Sequence, residues 1–372
     1  MAHAPNRSGM TSLELELRAL IEAEGPMPVS RYMALCLGHP RHGYYATRDP
    51  LGAAGDFVTA PEISQMFGEL IGLWCVEAWR AMQAPARIRL VELGPGRGTL
   101  MHDMLRAAKL VPAFEQALEV HLVETSPVLT ALQREKLAGA SVPIAWHKSA
   151  ADLPAGPLLM IANEFVDALP IDRFVKTAAG WREQRVGIAK ERLVFGIDPA
   201  PLSGFDESLP SRLRRAPEGS VLERRNLAPL REIAARIAAA SGAALIVDYG
   251  HRRTSFGDTL QAVRAHEFAD PLESPGLADL SAHVDFESLA ALAKGEGLRV
   301  RGPIAQGVFL RRLGIEPRAE RLKRKADAKV RGDIDAALAR LVGTSPRHMG
   351  ELFKVISFAH SALPNGPGFD SA

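Results

Sequence analysis

Ile88-Arg89-Leu90-Val91-Glu92-Leu93-Gly94-Pro95-Gly96-Arg97-Gly98-Thr99-Leu100 is an apolar run that breaks into alternating glycines and resumes with a different period. Ile88, Leu90, Val91 and Leu93 suit a buried parallel strand. Beyond the turn, Leu100, Met101, Met104, Leu105 and Ala108 recur at helical spacing. Glycine has no Cβ and tolerates positive φ, so backbone in such a turn can approach a nucleotide closely.

The glycines form G-x-G-x-G at Gly94, Gly96 and Gly98, whereas a dinucleotide pyrophosphate is seated by G-x-G-x-x-G. The next strand-like run, Val120-His121-Leu122-Val123-Glu124, ends in an acid thirty positions after Gly94. A carboxylate there belongs at the carboxyl end of the second strand, where it can accept both hydroxyls of a ribose. Glu92 adds negative charge beside the turn, which repels a pyrophosphate and attracts a cofactor carrying sulfonium and ammonium groups. E-x-G-x-G-x-G with a strand-end Glu resembles the S-adenosylmethionine site of class I methyltransferases. The competing reading is a tight strand–helix turn without a ligand.

Bulk composition excludes several classes. A net charge of +2 on 372 residues does not call for a nucleic-acid partner. The basic stretch Arg311 to Lys325 is interrupted by Glu316 and Glu320, as a solvated helix face would be. Cys36 and Cys75 lie in apolar helical contexts without metal-ligand neighbours, so buried thiols in a reducing compartment are expected. No run reaches transmembrane length, and Glu14, Glu16, Glu22 and Glu24 argue against a transit peptide. A cytoplasmic protein without membrane insertion is expected.

Around the glycine turn the chain alternates strands and helices: strand 88–93, helix 99–109, strand 119–124, helix 127–138, strands 142–147 and 157–163. Upstream, 12–38 reads as two helices split by Gly25-Pro26-Met27-Pro28, and 62–82 as a third. Three short strand-like segments over 173–199 predict an antiparallel insertion, followed by a loop over 199–219 and a helix over 226–240. Ala243 to Gly250 is a further buried strand, 259–264 a candidate strand, 285–296 a helix, and 298–308 and 352–360 final strands. The predicted class is α/β, a Rossmann-like sheet with an N-terminal helical region and an antiparallel β insertion. The expected division is a helical region over 1–85 packing on the core, core halves over 86–170 and 241–362, an insertion for substrate over 171–240, and a tail over 363–372.

Five motifs carry a family resemblance: Gly55-Asp56-Phe57-x-Thr59-Ala60-Pro61-Glu62-x-Ser64-Gln65-x-Phe67-Gly68-Glu69, the Glu92–Gly98 turn, Glu124-x-Ser126-Pro127, Asn163-Glu164-Phe165-x-Asp167-Ala168-Leu169-Pro170, and Asp248-Tyr249-Gly250. Together they resemble the MidA-type class I methyltransferases of bacteria and mitochondria, from about residue 12 to about residue 360. The resemblance implies S-adenosyl-L-methionine as cofactor. Its mitochondrial members, protein-arginine methyltransferases in respiratory complex I assembly, imply an arginine-bearing protein substrate such as a complex I subunit. Methylation of a small molecule, and a cofactor-binding assembly factor without transfer, are the alternatives.

Ligands of open α/β sheets sit outside the carboxyl ends of strands, so Asn163, Glu164 and Asp167 are expected to face the methyl donor. A carboxylate pair, Glu164 and Asp167, can clamp a planar guanidinium, with Asn163 as polar orienter. Against this, Glu164 can cap a turn and Asp167 can make structural bonds. Glu92, Gly94, Gly96, Gly98, Glu124 and Ser126 are assigned to the cofactor, with Asp152 after the third strand as adenine reader and Asp56 and Thr59 near its amino-acid end. Thr59 is equally placed to cap the helix near Pro61. Asp248 and Tyr249 either line the site or pair structurally. His251, His266 and His283, with Asp279 and Asp285, match no metal-ligand spacing, so no metal is expected.

Overall fold

A computed structural model describes residues 10–47, 58–364 and 366–369. The chain divides into two compact units, one of Leu51–Val166, Ala228–Arg253 and Val284–Ala372, the other of Met1–Pro50, Asp167–Leu227 and Thr254–His283.

Seven strands form the main path of the first unit's sheet: β1 (Ile88–Leu93), β2 (Leu118–Val123), β3 (Ile144–His147), β4 (Leu158–Asn163), β5 (Gly242–His251), β6 (Arg299–Ala305) and β7 (Phe353–Ala359); the short strand Val284–Asp285 also pairs with β5. Their order across the sheet is β6-β7-β5-β4-β1-β2-β3. β5, β4, β1, β2 and β3 run parallel, and β7 inserts antiparallel between β5 and β6. Both faces of β1 are buried, which is why Ile88, Leu90, Val91 and Leu93 read as one apolar run. The chain winds outward from β1 through β2 to β3, then returns to β4 on the other side of β1. The carboxyl ends of β1 and β4 therefore flank the topological switch point. The predicted Rossmann-like α/β class is what the sheet shows.

Helix Gln65–Ala81 packs on helix Thr99–Ala108 through glycines: a Cβ on Gly72 would lie 2.8 Å from the Met104 carbonyl oxygen. Buried Glu69 accepts from Arg318 Nε at 2.7 Å and Arg106 Nε at 3.2 Å. Part of the basic stretch, Arg318, is thus held in a partly buried ion pair rather than on a purely solvated face.

In the second unit, Met27–Pro28, Gly180–Ala189, Ile171–Thr177 and Val221–Arg225 form an antiparallel sheet in that order, with Arg192–Ile197 also pairing with Gly180–Ala189. Met27–Pro28 was expected only to split two helices; it hydrogen-bonds to Val186 and Arg185. Val221–Arg225 carries only one buried apolar side chain, Leu222, and shows no strand pattern in sequence. A second antiparallel sheet joins Glu267–Ala269, Gln261–Arg264 and Asp279–Ser281. Leu13, Leu17, Tyr32 and Met33 share a core with Ile171, Val186 and Leu280. The first two helices thus cluster with the insertion, whereas helix Gln65–Ala81 clusters with the main sheet; the expected 1–85 stretch is not one contact unit. Among the described residues, no helix is long and apolar enough to cross a membrane.

Candidate active site

The glycine turn leaves β1 with Gly94, Gly96 and Gly98 at φ +62°, +53° and +80°. These are left-handed values that other residues adopt only at a cost of about 1–2 kcal/mol. At Gly94 there is no space either: a Cβ would meet the Phe165 ring at 2.7 Å. The turn from Asn163 to Val166 therefore packs directly on the glycine turn.

Glu124 follows the end of β2, buried, with Oε1 accepting from the Ser126 amide at 2.7 Å and Oε2 from Gln133 Nε2 at 3.1 Å. Burial raises its pKa, opposed by the amide and the Gln133 hydrogen bond. Ser126 caps helix Pro127–Lys136, its Oγ accepting from Leu129 N, so its hydroxyl serves the backbone. Glu92 is 3% exposed, and its Oε2 has no hydrogen-bond partner among the described residues. Burial, reinforced by Glu124, pushes its carboxyl up to about 8.

At the end of β4, Glu164 is held at φ +51°. Its amide donates to the Val247 carbonyl at 2.9 Å. Its Oε1 accepts from the Ala60 amide at 3.0 Å and Asn163 Nδ2 at 3.1 Å. Asn163 is itself buried. Asp248, fully buried in β5, accepts from Val166 N and Tyr249 N at 2.9 Å. Asp248 is therefore paired structurally, and it anchors the turn that carries Glu164. Glu62 faces Arg97 at 3.9 Å, linking the Thr59-Ala60-Pro61-Glu62 segment to the glycine turn. Thr59 caps helix Ala60–Ile63 by its carbonyl, without a side-chain capping bond.

The structure thus brings Glu92, the three glycines, Glu124, Asn163, Glu164 and Ala60 to the carboxyl ends of β1, β2 and β4. Asp152 Oδ2 accepts from Ser149 N at 3.1 Å, in a capping box that closes its own short turn. Asp167 falls in the second unit, buried, its carbonyl accepting from Ala282 N and Arg225 Nη1. Asp56 lies outside the described residues.

Gln133 was missed from the sequence. It is wholly buried and joins Gly96 O, Glu124 and Trp146, its Oε1 accepting from Trp146 Nε1 at 3.0 Å. The available signal was a polar residue at a core position, four residues after buried Leu129 and four before buried Leu137.

This donor set fits a cationic nucleoside. Glu124 offers a carboxylate beside the turn, Glu92 an unpaired buried oxygen, and the glycines bare backbone.

Residues 70–304 match a protein family described as "Putative S-adenosyl-L-methionine-dependent methyltransferase". Protein arginine methyltransferase NDUFAF7, mitochondrial, of Danio rerio is 39% identical over 94% of this chain and 87% of that protein. Its Homo sapiens namesake is 36% identical over 97% and 87%. A Burkholderia thailandensis structure bound to S-adenosyl-homocysteine aligns with a TM-score of 0.80 at 30% identity, covering 97% of this chain and 93% of that one.

Proposed function

We infer the reaction from the premise that this chain belongs to that family of S-adenosyl-L-methionine-dependent methyltransferases: the methyl group goes to an arginine side chain of a protein. The relatives' names supply the acceptor class, and the family resemblance extends it to a subunit of respiratory complex I. Bound S-adenosylmethionine supplies a methyl group made electrophilic by its cationic sulfur. Glu124 would accept the ribose hydroxyls, Glu92 and the glycine turn would receive the cationic end, and Gln133 holds Glu124 and Gly96 in register.

The observation that carries the arginine reading is Glu164. An L-residue held in the left-handed region stores strain of order 1–3 kcal/mol, and such strain gathers at functional sites. Here it aims a carboxylate oriented by the Ala60 amide and Asn163 at the strand ends. A carboxylate so fixed can hold two guanidinium nitrogens and leave the third toward the methyl, where positioning dominates the barrier. We place the reaction in the cytoplasm, a reading supported by two unpaired cysteines, Cys36 and Cys75, which fit a reducing compartment.

The test is transfer of radiolabelled methyl from S-adenosylmethionine into a cell lysate. Label recovered as methylarginine from hydrolysed protein supports the reading. Label confined to small molecules overturns the protein acceptor, and cofactor binding without label overturns transfer.

A further inference from the structure

Gln133 lies wholly buried on helix Pro127–Lys136, and a Cβ on Gly98 would stand 3.5 Å from it. A primary amide so buried needs partners for its carbonyl and for its NH2 group. Here all are met. Its Nε2 donates to Gly96 O at 2.7 Å and to Glu124 Oε2 at 3.1 Å, and its Oε1 accepts from Trp146 Nε1 at 3.0 Å. Only one orientation of the amide satisfies these partners, because a backbone carbonyl only accepts and an indole N–H only donates. Reversed, the amide would set oxygen against the Gly96 carbonyl and NH2 against the indole N–H.

Trp146 stands on β3, an edge strand of the sheet, in register with Leu122 of β2. It is half-buried, and the Arg134 guanidinium covers its ring, Cζ lying 4.1 Å from the centroid. A large apolar side chain would pack there as well; the N–H is what Gln133 requires. Glu124 is thereby held from two directions, Oε1 by the Ser126 amide two residues on and Oε2 by Gln133 from the helix. A carboxylate fixed before its ligand arrives gives up little freedom on taking two hydroxyls, and that pre-organisation is read as affinity. We propose that Trp146 is a positioning residue for the cofactor ribose: its N–H fixes the Gln133 amide, and the amide fixes the Glu124 carboxylate. The proposal rests on the placement of the ribose on Glu124 and goes beyond it.

The experiment is isothermal titration calorimetry of the full chain with S-adenosylhomocysteine and with its 2′,3′-dideoxy analogue, in the wild type and in Trp146→Phe. The wild type is expected to favour the ligand with both hydroxyls at least about tenfold. In Trp146→Phe that preference is expected to shrink by about three- to tenfold, with affinity for the dideoxy analogue held within about twofold. A merely structural role lowers both affinities alike and leaves the preference as it was. Should Trp146→Phe fail to fold, site-specific replacement of the Trp146 indole by benzothiophene exchanges the N–H for sulfur and keeps the ring. The same shrinkage is expected. A preference unchanged in the variant that folds overturns the proposal and leaves the ribose placement standing. A wild type that binds both ligands equally, or neither, overturns the placement and the proposal together.

Discussion

Gly94 meets two requirements at once, positive φ and the absence of a side chain where the Phe165 ring packs. Gly94→Ala is expected to weaken S-adenosylhomocysteine binding at least about tenfold and to lower stability by about 1–2 kcal/mol, read by calorimetry and urea unfolding. Gln133→Leu fills the same space but strands the Trp146 Nε1–H and the Gly96 carbonyl. A loss of about 2–3 kcal/mol in urea unfolding is expected. The glycines were legible because their chemistry is local. Gln133 was not assigned because its partners, Gly96 and Trp146, lie thirty-seven positions before it and thirteen after it. Asp152 stands three residues after a serine, a spacing at which an acid also closes its own turn, as its Oδ2 does here.

Among the elements, strands buried on both faces were legible as apolar runs, and those bound to distant partners through few side chains were not. Met27–Pro28 and Val221–Arg225 exist because backbone groups of Gly180–Ala189 and Ile171–Thr177 pair with them. The packing of helix Gln65–Ala81 on its neighbour depends on Gly72; Gly72→Val should cost about 1–3 kcal/mol and lower the melting temperature. On β2 and β3, His121 Nδ1 lies 2.9 Å from His147 Nε2. Burial, with His147 beside it, pushes the His121 pKa down to about 4. In the unfolded chain His121 takes a proton near its ordinary value of 6.5, and in the fold only near 4. Stability is therefore lost as pH falls through that window. Urea unfolding should show a loss of about 2 kcal/mol between pH 7 and pH 5 that is absent in His121→Leu.

Across the whole molecule, motifs far apart in sequence converge on one end of one sheet. The Ala60 amide reaches Glu164 across 104 positions, and Glu62 meets Arg97. The fold class and the identity of these motifs were legible, since each is a contiguous pattern. Their mutual contacts, and the interleaving of three chain segments into each compact unit, depend on long-range pairing and were not. Binding and transfer should separate accordingly. Glu124→Ala is expected to weaken cofactor binding at least tenfold, by roughly 1.4 kcal/mol or more. Glu164→Ala should leave it within about threefold and abolish methyl transfer, as read by calorimetry and radiolabel.

A crystal structure of the full chain with S-adenosylhomocysteine is the most direct measurement. Both ribose hydroxyls are expected on the Glu124 carboxylate, with the amino-acid end beside Glu92 and the Gly94–Gly98 turn. Adenosyl density elsewhere on the molecule, or a ribose that makes no contact with Glu124, would contradict it.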